Sequence, residues 1–222
     1  MLVKEGLGID NLIIYQDTDL YRFTSDAVLL SKFAKAKKGE KVVDFCSGSG
    51  IVGIHYYLLN RELVSTVDLV EMQFDLYSLS KKTIEDNGLG DKICPHNVKV
   101  QDFVANGVYD TVLCNPPYVK QNSGLSKDMP EHLRVCREEV TLTFAEICRS
   151  ASKVLKHGGK FCFVHRADRL AEIIWELKLN KLEPKRLQMV TGGENLAPYL
   201  VLIEAVKGGK SGVTVLPNLT NL

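Results

Sequence analysis

The sequence lacks the features that would place it in a specialised class of protein. Among its 222 residues, no apolar run approaches the roughly 20 residues that a transmembrane helix needs. The N-terminal segment MLVKEGLGID has neither the apolar stretch nor the small-residue cleavage site of a secretory signal peptide. Internal repeats and low-complexity tracts are also missing. These absences favour a globular, cytoplasmic protein with no membrane partner.

Metal ligands in the usual spacing are missing as well. The six cysteines are scattered, and no pair has the CxxC spacing of a structural zinc site. Several of them stand in apolar runs such as VVDFC and KFCFV, where a thiol packs as a small hydrophobic group. We therefore expect core thiols in a reducing compartment, no disulfide framework and no metal.

Charge of one sign is not in excess, because the formal net charge is +1. The distribution is nevertheless uneven. Basic side chains outnumber acidic ones in residues 151–222, and the reverse holds in residues 1–150. A basic C-terminal third is compatible with a polyanionic partner, but the asymmetry alone favours an ordinary solvated surface.

Apolar strand-like runs alternate with amphipathic helical segments. The strand-like runs cover residues 41–46, 65–72, 94–102, 109–115, 159–166, 186–192 and 198–207. The helical segments cover residues 50–59, 75–87, 138–156 and 167–180, and another follows the cap residues at 24–26. This alternation predicts βαβ units and a parallel sheet. The length predicts one domain over residues 1–222, with an N-terminal cap segment at 1–40 and a core at 41–222. Trp175 continues a helical apolar pattern and is expected in the core.

The segment VVDFCSGSGIVGIH joins a strand-like run to a helical one through a glycine loop. Gly48, Gly50 and Gly53 satisfy the pattern GxGxxG. Glu71 follows at roughly the 20-residue distance of the acidic residue in the dinucleotide-binding fingerprint. On this segment alone, an NAD-dependent enzyme is a serious alternative.

Asp44 shifts the balance away from a dinucleotide. It stands at the end of the first core strand, where a carboxylate is unfavourable near a pyrophosphate but suits the cationic amino acid end of S-adenosylmethionine. Glu71 ends the second strand-like run and can accept both ribose hydroxyls. Asp102 ends the third and can accept from the adenine amine, although a turn-capping role explains it equally well. Three acidic strand ends therefore line the sheet edge at which open α/β sheets bind ligands.

The stretch TVLCNPPYVK ends the fourth strand-like run abruptly. Two prolines remove backbone donors, and the residue before a proline is driven into an extended conformation. Asn115 is therefore held in one pose beside the glycine loop. Its side-chain oxygen and the carbonyl of Pro116 form a cluster of acceptors for the hydrogens of a conjugated –NH₂ group.

Such acceptors favour a more pyramidal, more nucleophilic amine and aim its lone pair at a sulfonium methyl group. Tyr118 provides a stacking platform for a planar substrate, and base stacking contributes roughly 1–3 kcal/mol per base. The segment Asn115, Pro116, Pro117 and Tyr118 thus predicts methylation of an amine. A strand terminator followed by a packed tyrosine is the alternative for this segment taken alone.

The glycine loop DFCSGSG and the NPPY segment, at this spacing, resemble the amino-methylating branch of class I S-adenosylmethionine-dependent methyltransferases. The stretches YRFTSDAVLLSKFA, KHGGKFCFVHRADRLAEII, LEPKRLQMV and EAVKGGKSGVTVLPNL narrow the resemblance. Together they are similar to the bacterial enzymes that methylate the 6-amino group of the adenine beside the anticodon of a valine tRNA. The resemblance extends from about Gln16 to Leu219.

This resemblance implies a Rossmann-like α/β fold, with a seven-stranded sheet whose last strand is antiparallel and helices on both faces. It implies S-adenosylmethionine as cofactor and tRNA as partner. The implied cofactor residues are Phe23, Asp26, Asp44, Cys46, Gly48, Gly50, Glu71, Met72, Asp102, Phe103 and Asn115, of which Phe23 and Asp26 close over the cofactor. Cys46 and Ser47 depart from the family pattern, in which a small residue and then Gly or Thr are frequent.

Substrate selection is less clear from the sequence. Residues 121–133 are the least regular stretch and have the length of a lid. Arg166, Lys185, Arg186, Lys207 and Lys210 are candidate contacts to RNA phosphates. The alternatives are glutamine methylation of peptide-release factors, amino methylation of ribosomal RNA, and a non-catalytic module that binds S-adenosylmethionine and RNA. Relatives of the release-factor enzymes carry a helical N-terminal domain for which the chain has no room, and the target-recognition domain that a DNA adenine methyltransferase normally needs is not visible in the sequence.

Overall fold

An eight-stranded mixed sheet and five helices form the body of the molecule, seen in a computed structural model that describes residues 1–20, 25–118, 142–193 and 196–221. The strands are β1 (Leu2–Gly6), β2 (Ile13–Asp17), β3 (Glu40–Phe45), β4 (Val64–Glu71), β5 (Ile93–Asn97), β6 (Tyr109–Cys114), β7 (Leu155–Arg166), β8 (Leu182–Thr191), β9 (Leu200–Lys207) and β10 (Thr214–Thr220). The helices are α1 (Ser25–Phe33), α2 (Ile51–Leu59), α3 (Phe74–Asp86), α4 (Phe144–Val154) and α5 (Leu170–Leu179).

The sheet has the strand order β10-β8-β9-β7-β6-β3-β4-β5. Strands β3 to β7 are parallel to one another, and β9 runs antiparallel to both β7 and β8. The predicted α/β class with one antiparallel strand is therefore confirmed. The strand order reverses at β3, because β4 and β5 follow on one side of it and β6 and β7 on the other.

The predicted seven strands are one too few. Residues of the C-terminal tail form β10, which pairs in parallel with β8 and makes the antiparallel β9 the last strand but one. Pro217 lies inside β10, at a shift of register between Leu216 and Leu219. A proline is tolerated there because β10 is an edge strand with one unpaired side. The same proline weakened the strand pattern in the sequence.

The third predicted strand is also too long. β5 ends at Asn97, and residues Val100–Asp102 form a 3₁₀ turn instead. The side-chain amide of Asn97 donates to the carbonyls of Glu71 and Met72, each at 3.0 Å. The Asn97 side chain therefore donates to backbone carbonyls at the end of β4, and after it the main chain leaves the sheet.

Helices cover both faces of the sheet. On β3, Val42 packs in the hydrophobic cluster that contains α1 and α2, whereas its neighbour Val43 packs in the cluster that contains α4 and α5. Alternate strand residues point to opposite faces, so these two clusters are the two core layers. The prediction that Trp175 is core is wrong, because its side chain is 65% exposed. α5 buries only Ile173 and Leu177.

The N-terminal segment forms a β-hairpin that packs on α3. The backbone N–H of Tyr15 donates to Thr83 Oγ1 at 3.0 Å, and its hydroxyl donates to Asp86 Oδ2 at 2.5 Å. Asn87 bonds to the backbone of Ile13 in both directions. The division into a cap segment and a core stays a prediction. None of the helices in the described ranges is long and apolar enough to cross a membrane.

Gly53 sets the distance between α2 and the sheet. A methyl group at this position would lie 2.5 Å from Leu69 Cδ2 and 3.1 Å from both Asp44 Cβ and Val67 Cγ1. The absence of a side chain therefore lets the helix lie directly on β3 and β4, as the third glycine of a GxGxxG loop does.

We expect Gly53→Ala to destabilise the protein by about 1–3 kcal/mol, because the added methyl group must displace side chains of a close-packed layer. The measurement is urea unfolding followed by circular dichroism. Gly90→Ala is the matched control, since nothing lies within 4 Å of a methyl group there. Equal free energies of unfolding for the two variants would contradict the packing role.

Candidate active site

The loop between β3 and α2 alternates through the left-handed region of backbone conformation. Cys46, Gly48 and Gly50 have φ angles of 56°, 56° and 90°. The two glycines adopt this region without a steric penalty, whereas Cys46 does so at a cost of roughly 1–2 kcal/mol. Cys46 stands where the family pattern has a small residue, and its backbone adopts a positive φ that glycine would adopt more easily.

A cleft of about 800 Å³, open solvent at its mouth included, lies against this loop. Six of the predicted site residues line it: Cys46, Gly48, Glu71, Met72, Asn115 and Pro117. Sequence reasoning missed the other lining residues, which are Ser47, Ser49, Ile51, Val52, Val70, Gln73, Leu76, Val100, Gln101 and Leu142. Most of these lie next to a predicted residue, so the position of the motif in the chain could have found them. Nothing in the sequence pointed to Leu142.

Glu71 is held at the cleft by two backbone donors. Its Oε2 accepts from the N–H of Gly48 at 2.9 Å, and its Oε1 accepts from the N–H of Gln73 at 2.8 Å. The residue is 7% exposed, and burial raises the pKa of its carboxyl group. Each oxygen keeps a further lone pair, so the carboxylate can accept from both hydroxyls of a ribose.

Asp44 lies beneath the loop and is fully buried. Its Oδ2 accepts from the N–H of Gly53 at 2.9 Å, and its Oδ1 has no hydrogen-bond partner among the described residues. Burial raises the pKa of this carboxyl group to about 8, and the charge of Glu71 adds to the shift. Ser47, which lines the cleft, has a buried hydroxyl that also has no partner in the described ranges. These polar atoms suit a ligand that brings hydrogen-bond donors and positive charge.

Five described residues of the predicted cofactor set are not among the lining residues of the cleft: Asp26, Asp44, Gly50, Asp102 and Phe103. Asp102 is exposed in the 3₁₀ turn, and its neighbour Gln101 lines the cleft instead. Phe103 packs its ring against Phe45, His96 and Tyr109, with centroid distances of 6.3, 5.3 and 6.1 Å. The structure thus places Phe103 in a packed aromatic group. Phe23 lies outside the described residues.

The NPPY segment lies beside the glycine loop, as predicted. β6 pairs with β3 so that Cys114 is opposite Phe45, and Asn115 follows directly at the cleft. The hydroxyl of Tyr118 donates to Asn115 Oδ1 and lies 3.4 Å from Asp26 Oδ2. Asp26 is therefore placed beside the tyrosine, and its place over the cofactor stays a prediction. Pro116 is buried.

One of the candidate RNA contacts, Arg186, has partners inside the protein. Its guanidinium donates to Glu204 Oε2 and to the carbonyl of Phe33, each at 2.9 Å, and lies 4.4 Å from the centre of the Phe33 ring. Its side chain is 16% exposed. These contacts tie β8 to β9 and α1, which is a structural role.

The other candidate RNA contacts differ in how accessible they are. Arg166 forms a two-pronged ion pair with Asp168, with a shortest distance of 2.5 Å. Lys185 donates to the carbonyls of Lys210 and Gly212, and Lys207 donates to the carbonyl of Leu155. Lys210 is exposed. An RNA phosphate would have to compete with these contacts at every one of the positions except Lys210.

A group of potential metal ligands lies on β4 and β5. Asp68, Cys94 and His96 place their ligand atoms within 4.8 Å of one another. Asp68 Oδ1 is 2.6 Å from His96 Nε2, and its Oδ2 accepts from the Tyr109 hydroxyl at 3.0 Å. Burial raises the pKa of the Cys94 thiol, which favours its protonated form. Because both carboxylate oxygens already have partners, we assign the group a hydrogen-bonding role.

Comparison with known proteins agrees with this geometry. The family model of the methyltransferase small domain matches residues 24–184, nearly three quarters of the chain. The tRNA1(Val) (adenine(37)-N6)-methyltransferase of Dyadobacter fermentans is 24% identical over 159 residues, which are 70% of this chain and 62% of that protein. The chain thus spans less than two thirds of this relative. The protein of the same name from Escherichia coli O9:H4 is 22% identical over 206 residues, 91% of this chain and 82% of that one.

A solved structure supports the fold. The crystal structure of a predicted O-methyltransferase from Agrobacterium tumefaciens superimposes with a TM-score of 0.69 at 18% identity, covering 88% of this chain and 86% of that chain. The match to the family model overturns the alternative of an NAD-dependent enzyme. The chain belongs to the methyltransferase small domain family.

Proposed function

We propose that the protein methylates the exocyclic 6-amino group of an adenine in tRNA, next to the anticodon of a valine tRNA. The observation that carries the proposal is the position of Asn115, which follows β6 and lines the cleft beside the glycine loop. The relatives from Dyadobacter and Escherichia carry the name of this activity in tRNA. Their low identity makes the base and the RNA the part of the proposal that most needs a test.

S-adenosylmethionine, when bound, supplies the electrophilic methyl group. Glu71 accepts from the ribose hydroxyls, since its oxygens retain lone pairs beside the N–H groups of Gly48 and Gln73. Asp44 attracts the cationic amino acid end from beneath the loop, where a low dielectric strengthens the attraction. The hydroxyl of Ser47 provides a further partner at the cleft wall.

The NPPY segment orients the target amine. Asn115 Oδ1 and the carbonyl of Pro116 accept the two amine hydrogens, and Tyr118 stacks on the base. These hydrogen bonds strengthen as positive charge develops on the nitrogen, so they lower the barrier more than they stabilise the bound substrate. The proton leaves only after transfer, when the methylated nitrogen has become acidic.

The substrate is tested by methyl transfer from labelled S-adenosylmethionine to total tRNA from cells that lack the protein. We expect the label in 6-methyladenine after nucleoside analysis, and a loss of at least about 100-fold in rate for Asn115→Ala, as for other single hydrogen bonds made in a transition state. Asn106→Ala, a change of the same kind at an exposed position, should retain activity.

Other patterns of label would overturn parts of the proposal. Label in a release factor or in ribosomal RNA, but not in tRNA, would retain amine methylation and reject the substrate. Binding of S-adenosylmethionine without any transfer would favour the non-catalytic module.

The raised pKa of Asp44 predicts how cofactor affinity depends on pH. Below pH 8 the ligand-free carboxyl group is mostly protonated, so binding a cation requires proton release. Affinity for S-adenosylmethionine should therefore rise from pH 5.5 to 7.5, by up to roughly tenfold per pH unit. Methylthioadenosine, which lacks the amino acid end, serves as the control ligand and should show no such rise. Titration calorimetry measures both ligands.

The same rise should be absent in Asp44→Asn, whose side chain cannot ionise. A flat profile in the wild-type protein would show that Asp44 does not ionise on binding. In that case the assigned attraction to the amino acid end would be wrong.

A further inference from the structure

Tyr118 is held at its hydroxyl, its ring and its carbonyl by residues from different elements. The hydroxyl donates to Asn115 Oδ1 and lies 3.4 Å from Oδ2 of Asp26, in the first turn of α1. The ring meets that of His165 at an angle of 62°, with centroids 5.4 Å apart. The backbone carbonyl accepts from a terminal nitrogen of Arg169 at 3.1 Å. Because Tyr118 is held at these three points, it can in turn orient the residues that it contacts.

Arg169 is a buried cation whose position requires an explanation. It is 9% exposed and lies in the turn between β7 and α5. Its guanidinium donates to Glu172, at 2.6 Å, and to the carbonyl of Tyr118, at 3.1 Å. A planar fork with fixed donor directions is suited to such a double contact. The chain segment that ends the NPPY motif is therefore attached to α5 by a charged hydrogen bond.

His165 forms a neutral support for the ring of Tyr118. It is fully buried, and burial lowers its pKa to about 3, with Arg169 adding to the shift. Its Nδ1 accepts from the backbone N–H of Arg166 at 2.9 Å, so the remaining proton is on Nε2. The imidazole also packs against the ring of Phe144, with centroids 5.2 Å apart.

The tyrosine hydroxyl decides how the Asn115 carboxamide is oriented. A hydroxyl that donates its hydrogen selects the amide oxygen over the amide nitrogen. Asn115 Oδ1 keeps a second lone pair for the target amine. Asp26 Oδ2 lies 3.4 Å from the same hydroxyl and can only accept when ionised, so it is a second, longer acceptor that shares the hydroxyl hydrogen with Asn115 Oδ1.

We propose that Asp26 and Arg169 are positioning residues, which hold the hydroxyl and the carbonyl of Tyr118 so that the Asn115 oxygen faces the amine. This inference rests on the proposed amine methylation for its effect on rate, but the contacts themselves do not depend on the identity of the substrate. It gives Asp26 a role on the amine side of the site.

A mutant cycle tests the proposal through the kinetics of methyl transfer. Asp26→Ala and Arg169→Gln are each expected to lower kcat by about 10- to 100-fold, the order of loss for a misplaced reacting group. The KM for S-adenosylmethionine should remain unchanged. In the Tyr118→Phe background, Asp26→Ala should have no further effect because the hydroxyl is gone, whereas Arg169→Gln should still lower kcat through the carbonyl.

Matched controls separate these effects from general damage. Asp75→Ala makes the same change in the first turn of α3, and Arg149→Gln makes it at an exposed arginine of α4. Both should retain wild-type kcat. Arg169→Lys, which keeps one charged donor, should recover part of the loss if Arg169→Gln folds poorly. An equal effect of Asp26→Ala with and without the Tyr118 hydroxyl would overturn the role of Asp26.

A second readout works without any substrate. Fluorine NMR of protein labelled with 3-fluorotyrosine reports on Tyr118, whose resonance is assigned by its loss in Tyr118→Phe. We expect it to shift or broaden in Asp26→Ala and in Arg169→Gln, but not in the two controls. An unchanged resonance would overturn the proposal. If the wild-type protein fails to methylate tRNA while the resonance responds as expected, the proposed function fails and the positioning network stands.

Discussion

The parallel pairing of β3 with β6 is the contact on which the rest of the site depends. It places Phe45 opposite Cys114, so the glycine loop and Asn115 leave the sheet side by side. On its other side β3 pairs with β4, which brings Glu71 to the same edge. Because the chain turns in opposite directions at this switch point, a cleft opens between the two connections. The residues proposed for the cofactor and those proposed for the amine are therefore brought together by strand register.

Burial of acidic groups is the main electrostatic property of this edge. Asp44 and Glu71 lie where water cannot stabilise their charges, and burial raises the pKa of both. The N–H groups of Gly53 and Gly48 offset part of that cost. One oxygen of Asp44 still has no partner among the described residues. Such a site is better satisfied with a cationic, hydrogen-bonding ligand in place than without one, which agrees with the cofactor of the family.

Sequence patterns predicted the central strands well, because β3, β4 and β6 are buried apolar runs whose type depends little on their neighbours. The same patterns failed for elements at the edges of the sheet and for a helix on its surface. β5 is shorter than predicted because the Asn97 side chain binds carbonyls of the adjacent strand. β10 was missed because its pattern contains Pro217 and needs β8 as a partner. The prediction that Trp175 is buried was wrong because an apolar pattern along a helix does not show how few of its residues face the core.

The sequence by itself determined the glycine loop, the proline stop after Asn115 and, through them, the family. The tolerance of glycine for positive φ angles and the missing N–H of proline are properties of the residues themselves, so they can be read without neighbours. Only the tertiary structure decided that Gln101 rather than Asp102 lines the cleft. It also decided that Arg186 joins two strands of the sheet through Glu204. Likewise, it placed Asp26 beside Tyr118, which is 92 positions away in the chain. Such contacts depend on how segments that are far apart in the chain pack together, and local residue preferences do not encode that packing.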